Sequence, residues 1–174
     1  PPSTNITEEE FLELKINWLI KNKKDNLLER FLNKNENFQG KKKIIQYLVD
    51  KNIAEANLNE GCKKSDFISK DIQDSYLEKF KIYCLVFNDK KSEAQLIFDI
   101  LKDEGLSDKF FNSKMNYLLG ITIKPDKIIK DNNLLNFYLS SITVPDFNYE
   151  PDDKTDKFIW EYLNAANLIK INDI

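Results

Sequence analysis

Between Ser75 and Gly105 the chain reads SYLEKFKIYCLVF, then NDKKSE, then AQLIFDILKDEG, two apolar-periodic segments either side of a polar break. Leu77, Phe80, Cys84 and Phe87 recur every three or four residues in the first, flanked by Tyr76 and Tyr83; Ala94, Ile97, Phe98 and Leu101 do the same in the second. That period places each set on one face of a helix and predicts a helical hairpin. Ser75 and Glu78 have the spacing of a capping box, in which hydroxyl and carboxylate each satisfy a free amide, so the first helix is expected to start at Ser75. Gly105 stands where a left-handed residue would end the second.

The same pattern extends along the chain. Thr7 and Glu10 repeat the capping spacing before a helix to about Asn22, whose Phe11, Leu14 and Trp18 form one face and Leu12, Ile16 and Leu19 another, predicting contacts on two sides. Leu27, Leu28, Phe31 and Leu32 mark a second helix, and Ile45, Val49, Ile53 and Ala56 a third over residues 41–57. A short helix is expected at CKKSDFI, after Gly61. Ser107 is read as the cap of a helix carrying Phe111, Met115 and Leu118 and ending at Gly120. A helical turn at 126–131 and a helix carrying Leu134, Leu135, Tyr138, Leu139 and Ile142 follow. TVPDFNYEPDD, with Pro145 and Pro151, is then expected as the longest connection. Thr155 is read as opening the last helix, whose stripe of Phe158, Ile159, Tyr162, Leu163 and Ala166 needs the preceding helix as partner.

Only four glycines and five prolines occur, and each glycine lies at or near an expected element end, which suits helices joined by short turns, so the chain is expected to be all-α with about eight to ten helices. An apolar share of 41% over 174 residues is enough for one packed domain. Its expected layout is a loose leader at 1–6, hairpin repeats over 7–120, and C-terminal helices over 121–174 with a loop at 143–154. The start Pro1-Pro2-Ser3-Thr4, without methionine, is that expected of a trimmed or mature chain. No stretch approaches the roughly 20 apolar residues that span a bilayer.

LIKNKKDNLLERF from Leu19 lies over LVFNDKKSEAQLIF from Leu85, two steps of about 33 residues, the period of paired-helix solenoids. Over residues 1–120 the chain thus resembles tetratricopeptide-like repeat proteins, with Ala94 and Phe98 at the small and aromatic positions of the second repeat helix. Ile82 and Asp89 stand where that family has glycines, and no proline closes the repeat. The core EKFKIYCLVFNDKKSEAQLIFDILKDEG is also similar to that of a group of exported bacterial proteins without assigned activity. The first resemblance implies stacked antiparallel helical hairpins forming a short right-handed α-solenoid, the second implies helical repeats, and neither implies a reaction.

The side-chain inventory excludes much chemistry. With no histidine, the usual general base, the commonest nitrogen metal ligand and every Ser-His-Asp or Cys-His arrangement are ruled out. Two cysteines cannot build a four-thiolate zinc site, and glycines isolated at 40, 61, 105 and 120 make neither a P-loop nor a dinucleotide fingerprint. The carboxylates at Glu8-Glu9-Glu10, Asp71 with Asp74, and Asp152-Asp153 read as solvated helix starts and loops. No catalytic residue, metal ligand or cofactor site is therefore assigned, and the chain is not expected to be an enzyme. Lys21, Lys23 and Lys24 with Lys41, Lys42 and Lys43 would form a basic patch if the first two hairpins stack, although the net charge is -3 and Arg30 is the only arginine. Trp18 and Trp160, which a peptide groove could use, are read as core by their helical spacing.

Cys62 and Cys84 lie equally far from Gln73, inside the predicted turn before Ser75, so antiparallel helices would bring them level. A disulfide is feasible there, with two buried free thiols as the alternative. Bridging would place the protein outside the reducing cytosol, in a periplasm or otherwise exported; free thiols would fit the cytoplasm. The resulting expectation is a non-enzymatic helical-repeat scaffold that binds another protein or peptide, with nucleic-acid binding through the lysines at 21–24 and 41–43 as the competing one.

Overall fold

A computed structural model describes residues 5–169; most of the expected leader and the last five residues lie outside them. Among the described residues there are nine α-helices, one short 3-10 turn and no strand. The chain divides into two compact units, residues 1–48 and 49–174, with the boundary inside the third helix.

In the first unit, α1 (Glu8–Lys21) and α2 (Asp25–Lys34) pack together, and α3 (Lys41–Ala54) begins. Thr7 caps α1, its hydroxyl accepting from the Glu10 amide at 3.1 Å. Ile16, Leu19, Leu28, Leu32, Ile44, Ile45 and Leu48 are buried. Gly40, at φ +94°, lets the Ile16 side chain approach so closely that an added Cβ would lie 2.9 Å from its Cδ1. The expectation that α1 buries two faces is not met: Phe11, Leu14 and Trp18 are 65%, 57% and 56% exposed. Trp18 is therefore a surface residue rather than core. The physical reason is that only the side of α1 carrying Ile16 and Leu19 is covered.

The second unit continues α3 and adds α4 (Leu58–Lys64), a 3-10 turn (Ser65–Phe67), α5 (Ser75–Phe87), α6 (Lys91–Asp103), α7 (Lys109–Leu118), α8 (Leu134–Thr143) and α9 (Lys157–Ala165). At its centre, α5 packs on α4, the 3-10 turn, α6 and α7. Leu77, Phe80, Ile82, Tyr83 and Cys84 are buried on it, and Phe98 of α6 meets Phe111 of α7 edge-on at 5.8 Å. The Tyr76 hydroxyl donates to Asp50 at 2.6 Å and accepts from the Leu135 amide at 3.1 Å, joining α3, α5 and α8. Tyr162 of α9 shares a hydrogen bond with Ser141 of α8 at 2.6 Å, so the last helix does find its partner in the preceding one.

Several boundaries differ from expectation. α4 starts at Leu58, capped by the Asn57 side chain on the Glu60 amide at 3.2 Å, and so contains Gly61 instead of following it. Gly61 serves close packing: an added Cβ would lie 3.3 Å from the Asn52 Cβ and 3.4 Å from the Phe80 ring. No helical turn forms at 126–131, and the connection 119–133 exceeds the one at 144–156. This longer connection is held to α7 by Lys114, whose ammonium lies 2.6 Å from the Asp126 carboxylate and 2.8 Å from the Ile128 carbonyl.

Six helices end in one way. After α1, α3, α5, α6, α7 and α9 a residue of positive φ is followed by an amide that reaches back to a carbonyl of the last turn at 2.7–3.1 Å, the Schellman arrangement. Only Gly105 and Gly120 are glycines; Lys23, Ala56, Asp89 and Asn167 take the left-handed conformation elsewhere.

Candidate functional site

Asp74 is the N-cap of α5, its carboxylate accepting from the Leu77 amide at 3.0 Å. Ser75 is thus the first helical residue and not the cap, and the expected capping box with Glu78 does not form. A charged acceptor one residue earlier takes the cap because it also meets the positive end of the helix dipole. Glu78 is released from the helix end and turned to another use.

It lines a cavity of about 350 Å³ bounded by α5, α6 and the segment after the 3-10 turn. Ile68, Ile97, Ile100 and Leu101 supply apolar wall, and Ser69, Lys70, Glu78, Lys81 and Glu104 supply polar groups, two of them cationic and two anionic. Glu78 Oε2 and Ser69 Oγ are buried and have no hydrogen-bond partner in the protein. Lys81 also donates to the Ile68 carbonyl, at 3.2 Å. Burial, followed by the charges of Glu104 and Asp74, pushes the Glu78 carboxyl above its ordinary value, against the pull of Lys81. A buried acceptor without a partner is costly, and native proteins leave few of them.

The cysteines anchor one wall. Cys62 on α4 and Cys84 on α5 are at disulfide distance, with Cα atoms 5.3 Å apart, and both are buried. This is within the ~7 Å that bridging needs without backbone movement. The bond ties α4 to α5 just before the Ser65–Lys70 segment crosses to the cavity, and it borders a second, more polar depression that also contains Lys81.

Local contacts engage several of the expected lysines. The Lys43 ammonium bonds the Asn17 side chain, and that of Lys41 the Glu36 carbonyl. Lys23 takes the left-handed turn after α1, and Lys24 is the N-cap position of α2. Among the described residues no group of three or more His, Cys, Asp or Glu is placed to hold a metal ion, and no helix is long and apolar enough to cross a membrane.

Sequence periodicity located the cysteines but missed the cavity. Glu78 and Lys81 are one turn apart on α5, and Ile97, Ile100 and Leu101 share a side of α6, so the inward face was visible. Assigning Glu78 to the helix cap hid its role. No protein-family model, curated protein or solved structure matches the chain.

Proposed function

We propose that the chain is a non-enzymatic helical module that binds another protein or peptide outside the cytosol. The observation that carries this reading is the surface of α6 beside the cavity. Leu96 and Ile100, one turn apart, are 61% and 47% exposed, and Ile100 also lines the cavity. An exposed apolar pair opening onto a concave site is the arrangement a peptide side chain uses to enter a protein surface. Stacking of the helices into a short tetratricopeptide-like solenoid belongs to this proposal, and the left-handed Asp89 supports it by making the tight turn between α5 and α6. The cysteine pair at disulfide distance supports an extracytoplasmic setting, where such bonds persist.

The test is selection of a random peptide library on the oxidised protein, repeated on Leu96→Asp and Ile100→Asp variants of unchanged circular dichroism. Enriched peptides that lose affinity for both variants are expected. Failure to enrich any peptide, or enrichment indifferent to both substitutions, overturns the reading. A salt-dependent shift of a labelled oligonucleotide, lost on neutralising Lys21, Lys23 and Lys24, would favour the nucleic-acid alternative instead.

A further inference from the structure

We propose that residues 121–130, in the connection between α7 and α8, form a membrane-contact loop. It inserts Ile123 into the headgroup boundary of an anionic lipid surface while Lys124 and Lys127 meet the lipid phosphates. The inference goes beyond the peptide-binding reading and uses none of the residues of the α6 face.

The loop carries apolar side chains where a solvated connection would carry polar ones. Ile123 is 92% exposed, more than any other large apolar side chain among the described residues, and Ile121 and Ile128 are each 52% exposed. Single exposed hydrophobes are ordinary, but three so close together mark an interaction surface.

Both sides of the tip are fastened. The Ile121 and Thr122 amides donate to the Asn116 carbonyl near the end of α7, at 2.9 and 3.2 Å. On the other side Asp126 is held by Lys114 and Ser113. Between those anchors the apex consists of Ile123, Lys124 and Pro125 alone, and the proline ring fixes its own φ. Ile123 is thus held out in solvent by a path already set, and docking it costs little further ordering.

Shape and charge choose the occupant. So exposed a side chain makes little contact with its own chain, and a fluid bilayer boundary accepts such a protrusion without a preformed pocket. Nucleic acid would attract the lysines but offers Ile123 no apolar medium. Over residues 121–130 there are three lysines and one carboxylate, Asp126, which the Lys114 ammonium neutralises at 2.6 Å. Lys124 and Lys127 are exposed, so the tip is locally positive although the whole chain carries -3. Each lysine within a Debye length of an anionic leaflet strengthens attachment about fivefold. No helix among the described residues is long and apolar enough to cross a membrane, and the contact is interfacial, weak and reversible.

The experiment is cosedimentation of the oxidised full chain, at low salt, with vesicles of about 30% phosphatidylglycerol in phosphatidylcholine and with vesicles of phosphatidylcholine alone. Partition is expected to favour the anionic vesicles about tenfold or more and to weaken as salt is added. Ile123→Ser should lower it about tenfold, and Lys124→Gln combined with Lys127→Gln should remove most of the anionic preference. Leu96→Asp should leave it unchanged. All three loop positions are in solvent, so thermal melts of these variants should match the parent. In anionic bicelles a nitroxide-labelled lipid should broaden the amides of residues 121–128. Absence of partition at low salt, equal partition onto both vesicles, undiminished partition of Ile123→Ser, or broadening elsewhere in the chain overturns the inference. Partition that follows the lysines but not Ile123 is adsorption to a polyanion and overturns it too. So does a selected peptide whose affinity depends on Ile123 when vesicles do not bind, which would assign the loop to a protein partner. The vesicle assay depends on neither Leu96 nor Ile100, so its failure and failure of the peptide selection are separately readable.

Discussion

The Lys114 ammonium, on a side chain only 1% exposed, lies 2.6 Å from the carboxylate of Asp126, twelve residues later in a connection without helix. Ser113 bonds the other carboxylate oxygen, and the Ile128 amide donates to the first at 3.0 Å. This pair, buried at Lys114 and partly exposed at Asp126, anchors residues 119–133 together with the Lys130 amide on Ser140 at 3.0 Å and the Tyr149 hydroxyl on Asp131 at 2.7 Å. Asp126→Asn should cost about 3 kcal/mol by leaving a buried ammonium without its counter-charge, whereas Lys114→Met combined with Asp126→Asn should cost less than the single change. Urea denaturation of the three proteins checks both statements.

The same pair sets an acid limit. Burial raises the Asp126 carboxyl, but hydrogen bonds from Lys114, Ser113 and the Ile128 amide outweigh it and hold the group below the ordinary aspartate value of 3.8. A group depressed in the folded state contributes stability above its unfolded value and loses it as pH falls through the folded one. Stability is expected to drop below about pH 3.8, and to drop less steeply in Asp126→Asn, in thermal melts taken across that range.

Reduction tests the tie between α4 and α5. Cys62 and Cys84 are 22 residues apart, and closing a loop of that length stabilises by about 3 kcal/mol on the chain-entropy model. Intact mass of the unreduced protein should lie about two mass units below the reduced form. Hydrogen exchange after reduction should accelerate first in residues 58–70, whose helix is only seven residues long. Two freely alkylatable thiols in protein isolated without reductant would remove the argument for an exported setting.

Ala56 ends α3 at φ +56°, a conformation that an L-residue with a Cβ adopts at a cost. Ala56→Gly is expected to stabilise by about 0.5–1 kcal/mol, the relief of that strain less the entropy glycine adds to the unfolded chain. The same measurement on Trp18→Gln should show a change within about 0.5 kcal/mol, since the ring is mostly in solvent.

These residues also show what local patterning can reveal. Helix existence and inward faces follow from periodicity, so all the strongly patterned segments emerge as helices. Caps were misplaced wherever a hydroxyl residue adjoined an aspartate: Asp74, Asp108 and Asp156 cap α5, α7 and α9, not Ser75, Ser107 and Thr155. Helix ends were sought at glycine, yet Lys23, Ala56, Asp89 and Asn167 make the same turn. The path of 119–133 depends on Lys114 meeting Asp126, a contact that no periodicity records. Half of the candidate site was legible as the Cys62–Cys84 register; the cavity depended on which residue takes the α5 cap.

The central claim is that Glu78, released from the α5 cap, keeps one carboxylate oxygen buried and without a partner beside the cavity. Carbon-detected NMR titration of the Glu78 carboxyl tests it most directly. Burial and the facing charges of Glu104 and Asp74 outweigh Lys81, so the free protein should give a value above the ordinary 4.5. Because the folded value is raised, ionising Glu78 costs stability as pH rises through the interval above 4.5. A Glu78 that titrates at or below 4.5 contradicts the account.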